Sequence, residues 1–226
     1  MKMTAHKAKV LIVDDHPMLR EGLALRINRE EDLLACCEAD SAESAFAACE
    51  ACCHDLALVD LRLADSSGLN LIRQLRQKYP TLPILVVSMY DENVYAERAL
   101  QAGAQGYIMK QEVTDTLIHA IRLVLGGELY VSDKLRSHLI RLLIGGGDEK
   151  ASLTRLTSSE FDVFNMLGLG LSARQIAEQQ KRSTKTIESH CANIKKKLGL
   201  QSGRELSQYA MDWQRSEKES LQIKDV

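Results

Sequence analysis

Five positions in the first half of the chain carry side chains that could together transfer a phosphoryl group. Two adjacent carboxylates occur at Asp14 and Asp15, and single groups follow at Asp60, Ser88 and Lys110. Each position comes directly after a short apolar run with the composition of a β-strand. Three carboxylates held close together repel one another, and a hard cation such as Mg²⁺ would offset that repulsion by taking their oxygens as ligands.

In such a site each group has a separate task. Asp60 would be the nucleophile, and the Mg²⁺ ion would neutralise charge on the incoming phosphoryl group. Lys110 would pair with another phosphoryl oxygen, while the Ser88 hydroxyl would donate a hydrogen bond. A single Asp or Lys at a strand end is commonly a helix cap or a solvated side chain. The prediction therefore depends on the ordered set and not on any one member.

The elements that must position this set alternate in type along residues 1–126. Their alternation predicts an α/β domain with a doubly wound, five-stranded parallel sheet. The predicted strands are Val10–Val13, Leu33–Cys37, Leu56–Val59, Ile84–Val87 and Gly106–Met109, and the predicted helices are Met18–Ile27, Ala42–Cys52, Leu69–Gln77, Val94–Gln101 and Thr114–Leu125. In a sheet of this kind ligands bind beyond the carboxyl ends of the strands, which is where the five polar groups fall.

The second part of the chain has a different organisation. Residues 127–152 are predicted to be a linker, with a possible helix at 133–144 and a glycine-rich stretch at 145–150. Residues 153–213 are predicted to form a small all-α domain of four short helices, and residues 214–226 a flexible tail. Three of the helix starts carry Ser or Thr followed three residues later by Glu or Gln, in the pairs Thr157 and Glu160, Ser172 and Gln175, and Ser202 and Glu205.

Two of these helices predict a helix-turn-helix. A helix over Ala173–Gln180 is joined by the short turn 181–184 to a second helix over Lys185–Leu198. One face of the second helix carries Ile187, Cys191, Ile194 and Leu198, and the other carries Lys185, Ser189, Ala192 and Lys196, with Glu188 and Asn193 at its sides. One face can pack while the other enters a DNA major groove.

Charge supports this interpretation. Residues 1–150 contain 17 Lys and Arg against 22 Asp and Glu, a net charge of −5, whereas residues 151–226 contain 12 against 9, a net charge of +3. Positive residues concentrate around the second helix, at Lys181, Arg182, Lys185, Lys195, Lys196 and Lys197. Such side chains suit DNA phosphates, although an isolated Lys-rich face is more often simply solvated. The predicted turn and caps favour DNA binding.

The first half resembles the receiver domain of bacterial response regulators, a flavodoxin-like fold, over residues 8–125. The resemblance is carried by the motifs Val-Asp14-Asp15-His, Val-Asp60-Leu, Val-Ser88-Met and Tyr107-Ile-Met-Lys110. It implies that Asp60 accepts phosphate from a sensor histidine kinase. It also implies that Asp15 and Asp60 bind Mg²⁺ directly with help from Asp14, that the backbone carbonyl of Arg62 completes the ligands, and that Tyr107 is an aromatic switch coupled to Ser88.

Two positions depart from the receiver pattern. Ala64 occupies a position where proline commonly follows the phosphoacceptor loop, and Gln111 replaces the proline that many receivers have after the lysine. Neither removes a ligand, so we expect them to affect loop dynamics and the lifetime of the phosphate.

The second half resembles the DNA-binding domain of the LuxR and NarL families over residues 153–200. The shared motifs are Leu156-Thr157-Ser-Ser-Glu160, Gly170-Leu171-Ser172, Gln175-Ile176-Ala177, Ser183-Thr-Lys185-Thr186-Ile187-Glu-Ser-His190 and Lys197-Leu198-Gly199. The resemblance implies that Lys185 and Thr186 approach phosphates. It places Glu188, Ser189, Ala192 and Asn193 where the family reads bases, with Lys196 and Lys197 adding positive charge.

Together these patterns predict a response regulator transcription factor of the NarL/FixJ type, and not an enzyme. Its expected cofactor is Mg²⁺, and its expected partners are promoter DNA, a sensor histidine kinase and a second copy of the chain on DNA. No apolar run reaches the roughly 20 residues of a membrane span, so we expect a cytoplasmic location. Two alternatives are a phosphorylation-independent regulator with a receiver-like domain and an Asp-dependent Mg²⁺ phosphohydrolase.

The last helix and the cysteines are less informative. The predicted helix Arg204–Trp213 is a candidate dimer surface, although Leu206, Tyr209 and Met211 could equally be core residues. Five cysteines, Cys36, Cys37, Cys49, Cys52 and Cys53, fall in apolar runs without zinc-finger spacing. We therefore predict reduced structural thiols, with redox sensing as the alternative.

Overall fold

The computed structural model describes residues 7–63, 67–143, 153 and 155–222. The chain divides into two compact units, Met1–Ile140 and Arg141–Val226. Ala64 and the glycine-rich stretch 145–150, both singled out above, lie outside the described residues.

The first unit is an α/β domain in which strands and helices alternate. Its strands are β1 (Ala8–Val13), β2 (Leu33–Ala39), β3 (Leu56–Val59), β4 (Ile84–Ser88) and β5 (Gly106–Met109). Its helices are α1 (Pro17–Asn28), α2 (Ala42–Ala51), α3 (Gly68–Lys78), α4 (Glu92–Ala102), α5 (Val113–Leu125) and most of α6 (Asp133–Leu143). All neighbouring strands are parallel, in the order β2-β1-β3-β4-β5. The predicted doubly wound, five-stranded sheet is confirmed.

The strand order determines where ligands can bind. Every residue of β3 and β4 is buried, as expected for parallel strands covered by helices on both faces. The order changes direction between β1 and β3, and this switch point is where α/β sheets bind ligands. Val13 pairs with Val59 there, and the Asp60 amide donates to the Val13 carbonyl at 2.9 Å. The residues that follow β1 and β3 therefore leave the sheet side by side.

The segment after α5 belongs to the first unit, whereas the sequence predicted a linker from residue 127. The Tyr130 amide donates to the Gln105 carbonyl at 2.9 Å, and the Tyr130 carbonyl accepts from the Tyr107 amide at 3.0 Å. Leu135, on α6, is fully buried. These backbone hydrogen bonds satisfy polar groups at the free edge of β5. Only one residue, Tyr130, makes them, so the segment shows no alternating pattern from which the pairing could be predicted.

The second unit is all-α, as predicted. Its helices are α7 (Ser158–Gly168), α8 (Ala173–Gln179), α9 (Thr184–Leu198) and α10 (Gly203–Gln222). Reciprocal capping boxes begin α7 at Thr157 and α8 at Ser172. Gly199 ends α9 with a φ of 71°, a left-handed conformation that glycine adopts without strain.

The last helix is longer than predicted. The sequence predicted a flexible tail from residue 214, but α10 continues to Gln222. Gln214 is buried, and its amide nitrogen donates to Asn165 Oδ1 on α7 at 3.3 Å. This packing against α7 stabilises turns whose charged composition alone favours disorder.

Candidate functional site

The carboxyl ends of β1 and β3 bring three aspartates together in the first unit. Asp14 and Asp60 are buried, and Asp15 is half-buried. Ligand atoms of these residues and of His16 all lie within 4.8 Å of one another. The adjacency of the two strands therefore produces the carboxylate cluster expected from the sequence.

Lys110, which follows β5, provides the positive charge of this cluster. Its Nζ lies 2.6 Å from Asp14 Oδ2 and 2.7 Å from Asp60 Oδ2, and its side chain is 6% exposed. Three buried charged groups require compensation because ions lose hydration on burial. One ammonium shared by two carboxylates leaves the cluster net negative.

The second oxygens of two carboxylates remain available for a ligand. Among the described residues, Asp60 Oδ1 and Asp15 Oδ1 are buried without a hydrogen-bond partner, although Asp15 Oδ1 lies 2.6 Å from His16 Nδ1. Burial raises the pKa of Asp60, and the nearby Lys110 ammonium and Arg62 amide partly offset that rise. Buried carboxylate oxygens that lack donors fit a hard divalent cation.

Two features of this site were not anticipated from the sequence. His16 lies against the pair, with Nδ1 3.1 Å from Asp14 Oδ1, and its Nε2 is 2.9 Å from Arg62 Nη2. Gly68 begins α3 so close to the end of β3 that a Cβ there would lie 2.2 Å from the Asp60 carbonyl oxygen. The position of His16 directly after the two aspartates was the available signal for the first feature.

Ser88 and Tyr107 lie on neighbouring strands next to this cluster. Ser88 pairs with Met109, the residue before Lys110, and its Oγ accepts from the Tyr90 amide at 3.3 Å. Tyr107 is 1% exposed, and its hydroxyl donates to the Tyr90 carbonyl at 2.8 Å. The aromatic ring thus already points inward, toward the loop that follows β4.

The second unit presents the predicted polar stripe on α9. Ile187 and Ile194 are buried, so they attach the helix to its unit. The side chains that remain exposed are Lys185, Glu188, Ser189, Ala192, Asn193 and Lys196, while Thr186 is half-buried. In the turn that connects α8 to α9, Lys181 adopts a left-handed φ of 52°. A continuous exposed stripe on a firmly packed second helix is what major-groove insertion requires.

Lys197 differs from the other lysines of α9. Its Nζ donates to Glu160 Oε2 at 2.6 Å, and the second contact of that carboxylate oxygen is the Thr157 amide at 2.7 Å. Burial opposes ionisation of Glu160, but Lys197 and Thr157 together hold the pKa of Glu160 below its usual value. The ammonium of Lys197 therefore links α9 to the start of α7. From the sequence, Lys197 was predicted to contact DNA.

Comparison with known sequences identifies both units. The sequence profile of the response regulator receiver domain matches residues 10–122, and that of the bacterial regulatory proteins of the luxR family matches residues 154–210. The oxygen regulatory protein NreC of Staphylococcus aureus is 31% identical over 209 residues, which cover 90% of this chain and 96% of NreC. The chain is a response regulator of the NarL/FixJ type.

Solved structures agree with this fold. RcsB of Salmonella enterica serovar Typhimurium, bound to promoter rprA in the presence of phosphomimetic BeF3-, has a TM-score of 0.73 at 22% identity, covering 91% of this chain and 99% of RcsB. A LuxR-family response regulator of Aurantimonas has a TM-score of 0.58 at 29% identity, covering 61% of this chain and 99% of its own.

Membership of this family decides between two functional classes weighed from the sequence. NarL/FixJ-type response regulators are transcription factors, so the phosphohydrolase alternative is excluded. Within the described residues, no helix of this response regulator combines the length and apolar character that a membrane crossing needs.

Proposed function

We propose that a sensor histidine kinase transfers a phosphoryl group to Asp60 and that this transfer controls binding of α9 to promoter DNA. The observation that carries the proposal is the unequal environment of the two Asp60 oxygens. Oδ2 accepts from Lys110 at 2.7 Å, while Oδ1 is buried without a hydrogen-bond donor among the described residues. The carboxylate is thus held in place by one oxygen and free to react through the other.

The proposed reaction uses that free oxygen as nucleophile. Asp60 Oδ1 forms a bond to phosphorus while the bond from phosphorus to the imidazole nitrogen of the kinase breaks, and an acyl phosphate results. Lys110 is already within ion-pair distance of Asp14 and Asp60, so it can hold a phosphoryl oxygen after a small movement. Ser88, at the same edge of the sheet, would donate its hydroxyl to another phosphoryl oxygen.

Asp14, Asp15, Asp60 and the Arg62 carbonyl are the proposed ligands of Mg²⁺. A bound Mg²⁺ would supply positive charge against the phosphoryl oxygens. The clustering of the three carboxylates supports this assignment, because their ligand atoms lie within 4.8 Å of one another and Mg²⁺ takes oxygen ligands. The net negative charge that remains after pairing with Lys110 supports it as well.

The proposed readout runs through β5. Tyr107 connects the loop after β4, through its hydroxyl, with the segment after α5, through its backbone. A displacement of Ser88 toward a phosphoryl group would disturb the contacts around Tyr90, which both Ser88 and Tyr107 share. Such a change would be passed to Tyr130 through the hydrogen bond from the Tyr107 amide to the Tyr130 carbonyl, and Tyr130 directly precedes the segment that leads into α6.

For DNA recognition we assign the exposed side chains of α9 together with the half-buried Thr186. Lys185 and Thr186 would contact phosphates, and Lys196 would add a further phosphate contact. Base contacts are assigned to Glu188, Ser189, Ala192 and Asn193. The Ser189 hydroxyl donates to the Lys185 carbonyl at 2.9 Å, so its remaining lone pairs would act as acceptors. Lys197 is not assigned a DNA contact, because its ammonium donates a hydrogen bond to Glu160.

We further propose that the protein binds DNA as a homodimer in the cytoplasm. RcsB, whose fold this chain shares, has been described as two dimers bound to two parallel DNAs. On α10, Leu206 is buried, whereas Tyr209 and Met211 are about two-fifths exposed. The first is a core residue, and the other two remain candidates for a dimer surface.

Intact-mass analysis with acetyl phosphate and Mg²⁺ tests the first step. The wild-type chain should gain one phosphoryl group, and the Asp60→Ala variant should gain none. Asp115→Asn, which changes an exposed aspartate on α5 of the same unit, is the matched control and should be labelled like wild type.

Gel shifts on the same samples test the second step. Phosphorylated wild type should bind its promoter with a different affinity from the unphosphorylated protein, and Asp60→Ala should show no response to the phosphoryl donor. Equal affinities of labelled and unlabelled wild type would instead support a regulator that does not depend on phosphorylation.

A further inference from the structure

The first unit contains a second cluster of metal-binding side chains that shares no residue with the acidic site. Cys36 and Cys37 lie on β2, Cys52 directly follows α2, and His54 lies in the loop before β3. One ligand atom from each of these four residues lies within 4.8 Å of all the others. None of the four takes part in the proposed phosphoryl transfer or DNA recognition.

An irregularity in β2 makes this cluster possible. Adjacent residues of a regular strand point to opposite faces, so Cys36 and Cys37 would normally be separated by the sheet. The register between β1 and β2 shifts at this point, because Val10 pairs with Ala35 while Leu11 pairs with Cys37. Cys36 is the extra residue of a β-bulge, a feature that redirects side chains and often occurs at functional sites.

Two distances within the cluster match those between ligands of a small tetrahedral ion, and the remaining donors lie within 4.8 Å of one another. Cys37 Sγ lies 3.8 Å from Cys52 Sγ, and Cys52 Sγ lies 3.5 Å from His54 Nε2. Bonds of about 2.3 Å from zinc to sulfur place two sulfur ligands about 3.8 Å apart in tetrahedral geometry. The donors are thus arranged with little rearrangement needed for metal binding.

We propose that Cys36, Cys37, Cys52 and His54 form a tetrahedral Zn²⁺ site in the receiver unit. Three thiolates and one imidazole are a known ligand set for structural zinc, and soft sulfur donors discriminate against Mg²⁺. The four ligands come from β2, the end of α2 and the loop before β3. A bound ion would therefore fix the outer edge of the sheet to the helix that covers it.

A disulfide is the competing use of the same residues. The Cys37 and Cys52 sulfurs are 3.8 Å apart, well beyond the roughly 2.05 Å of a disulfide bond. A disulfide would use only two of the four clustered donors and would leave the Cys36 thiol and the His54 imidazole beside it without a role.

Cobalt titration of the full chain tests the proposal. The protein is first stripped with a chelator under a phosphine reductant, and excess Mg²⁺ is added to occupy the acidic site. We expect one equivalent of Co²⁺ to give the strong visible absorption of a tetrahedral ion together with thiolate charge-transfer bands in the near ultraviolet. Zn²⁺ should displace the cobalt stoichiometrically and abolish these bands.

Single substitutions assign the ligands. Cys37→Ser, Cys52→Ser and His54→Asn should each weaken Zn²⁺ binding by about a hundred-fold or more, since even residues that only support metal ligands contribute 10- to 100-fold. Cys53→Ser is the matched control, because Cys53 is exposed and adjacent to Cys52 but outside the cluster. Labelling of Asp60 by acetyl phosphate, measured in every variant, verifies that the receiver unit remains folded.

Three outcomes would overturn the proposal. One is a weak octahedral cobalt spectrum, which indicates oxygen ligands. Another is binding that survives both Cys37→Ser and Cys52→Ser. The third is a stripped protein that binds no Zn²⁺ but forms a Cys37–Cys52 disulfide on mild oxidation. None of these results bears on phosphorylation of Asp60, so the zinc site and the signalling function fail or hold separately.

Discussion

Asp60 faces opposing influences on its charge, and their balance connects the reactivity of the receiver with its stability. Burial disfavours the carboxylate, whereas Lys110 and the Arg62 amide favour it, and the pKa of Asp60 ends above its ordinary value. A group whose pKa is raised by folding stabilises the folded state fully below the unfolded pKa. That stabilisation is lost as pH rises through the folded pKa.

Asp60→Asn should therefore be more stable than wild type near neutral pH when no divalent cation is present. The stability advantage of the variant should vanish by about pH 4, near the ordinary pKa of Asp. Each unit by which folding raises the pKa of Asp60 adds about 1.4 kcal/mol to that advantage at neutral pH. The difference in unfolding free energy between the two proteins is measured by urea unfolding in the presence of a chelator. Unfolding is followed by hydrogen exchange of the peptides that cover β1 and β3. Equal differences at both pH values would show that charge on Asp60 is not the cause.

Asp40→Asn is a useful control because its expected effect has the opposite sign. The Ser44 and Ser41 hydroxyls lower the pKa of Asp40, so its carboxylate stabilises the fold above the unfolded pKa. That contribution is lost as pH falls through the folded pKa. The variant should be the less stable protein near neutral pH and should approach wild type in acid.

Neighbouring lysines on α9 have different surroundings and should have different effects when removed. Lys196→Ala, at an exposed position, should weaken DNA binding and reduce the slope of log affinity against log salt by about 0.9, with no loss of stability. Lys197→Ala should instead destabilise the second unit by about 1–2 kcal/mol, because Glu160 loses a charged hydrogen bond. Salt titrations of DNA binding and urea unfolding of both variants measure the two effects. The assignment fails if Lys197→Ala changes the salt slope as much as Lys196→Ala does.

At the scale of helices and strands, sequence patterns predicted the elements well wherever the signal is local. The five strands and the capping boxes at Thr157 and Ser172 are examples, because each is recognised from residues within a few positions of one another. The ordered polar groups at the strand ends were found for the same reason. The fold of the receiver and most of its acidic site were therefore accessible from sequence.

Features that depend on distant residues were not accessible. Lys197 meets Glu160 across 37 positions, and the bulge at Cys36 appears only in the pairing of β1 with β2. The sequence Cys36-Cys37 followed by Cys52-Cys53-His54 contained the metal donors, but their spacing does not match a zinc finger. In a regular strand adjacent residues point to opposite faces, so periodicity alone could not place Cys36 and Cys37 in one cluster.

The length of α10 also depends on residues that are distant in the sequence, and its packing against α7 leads to a prediction. Gly168 allows α7 to approach α10 closely, since a Cβ there would lie 2.6 Å from the Ala210 carbonyl oxygen and 2.5 Å from Gln214 Cγ. Gly168→Ala should force the helices apart and destabilise the second unit by about 1–3 kcal/mol. Trp213, the single tryptophan of the chain, reports on this contact in urea unfolding followed by fluorescence.

Gly203→Ala is the matched control for that substitution. Gly203 begins α10, and a Cβ there would meet no atom within 4 Å. The added methyl should leave stability unchanged or raise it by about 0.4–1 kcal/mol, because alanine restricts the unfolded chain. Equal losses from the two substitutions would mean that the close approach of α7 to α10 does not determine the effect at Gly168.

At the scale of the whole molecule, the proposed control of DNA binding by phosphorylation requires that the receiver hold the start of α6 differently in its two states. Contacts of Tyr130, Ser132 and Lys134 hold the start of α6 within the first unit, and Lys134 Nζ lies 4.0 Å from Glu92 Oε1. Tyr130 pairs with the backbone on both sides of Gly106, and the Ser132 hydroxyl donates to buried Glu92 of α4 at 2.6 Å. Ser132 Oγ also accepts from the Leu135 amide at 3.0 Å, so one side chain both caps α6 and fixes it to α4.

Ser132→Ala should therefore uncouple DNA binding from phosphorylation without preventing either. Allosteric couplings typically change affinity by about 5- to 150-fold, and we expect the ratio of DNA affinities with and without phosphoryl donor to fall toward one. Labelling of Asp60 should stay stoichiometric because, in the described part of the chain, Ser132 is hydrogen-bonded to Glu92 and Leu135 and not to the acidic site. Ser137→Ala is the matched control, since the Ser137 hydroxyl donates to the Asp133 carbonyl within α6. A wild-type ratio in Ser132→Ala would show that the signal does not depend on the hydrogen bond from Ser132 to Glu92 and leaves the receiver by another route.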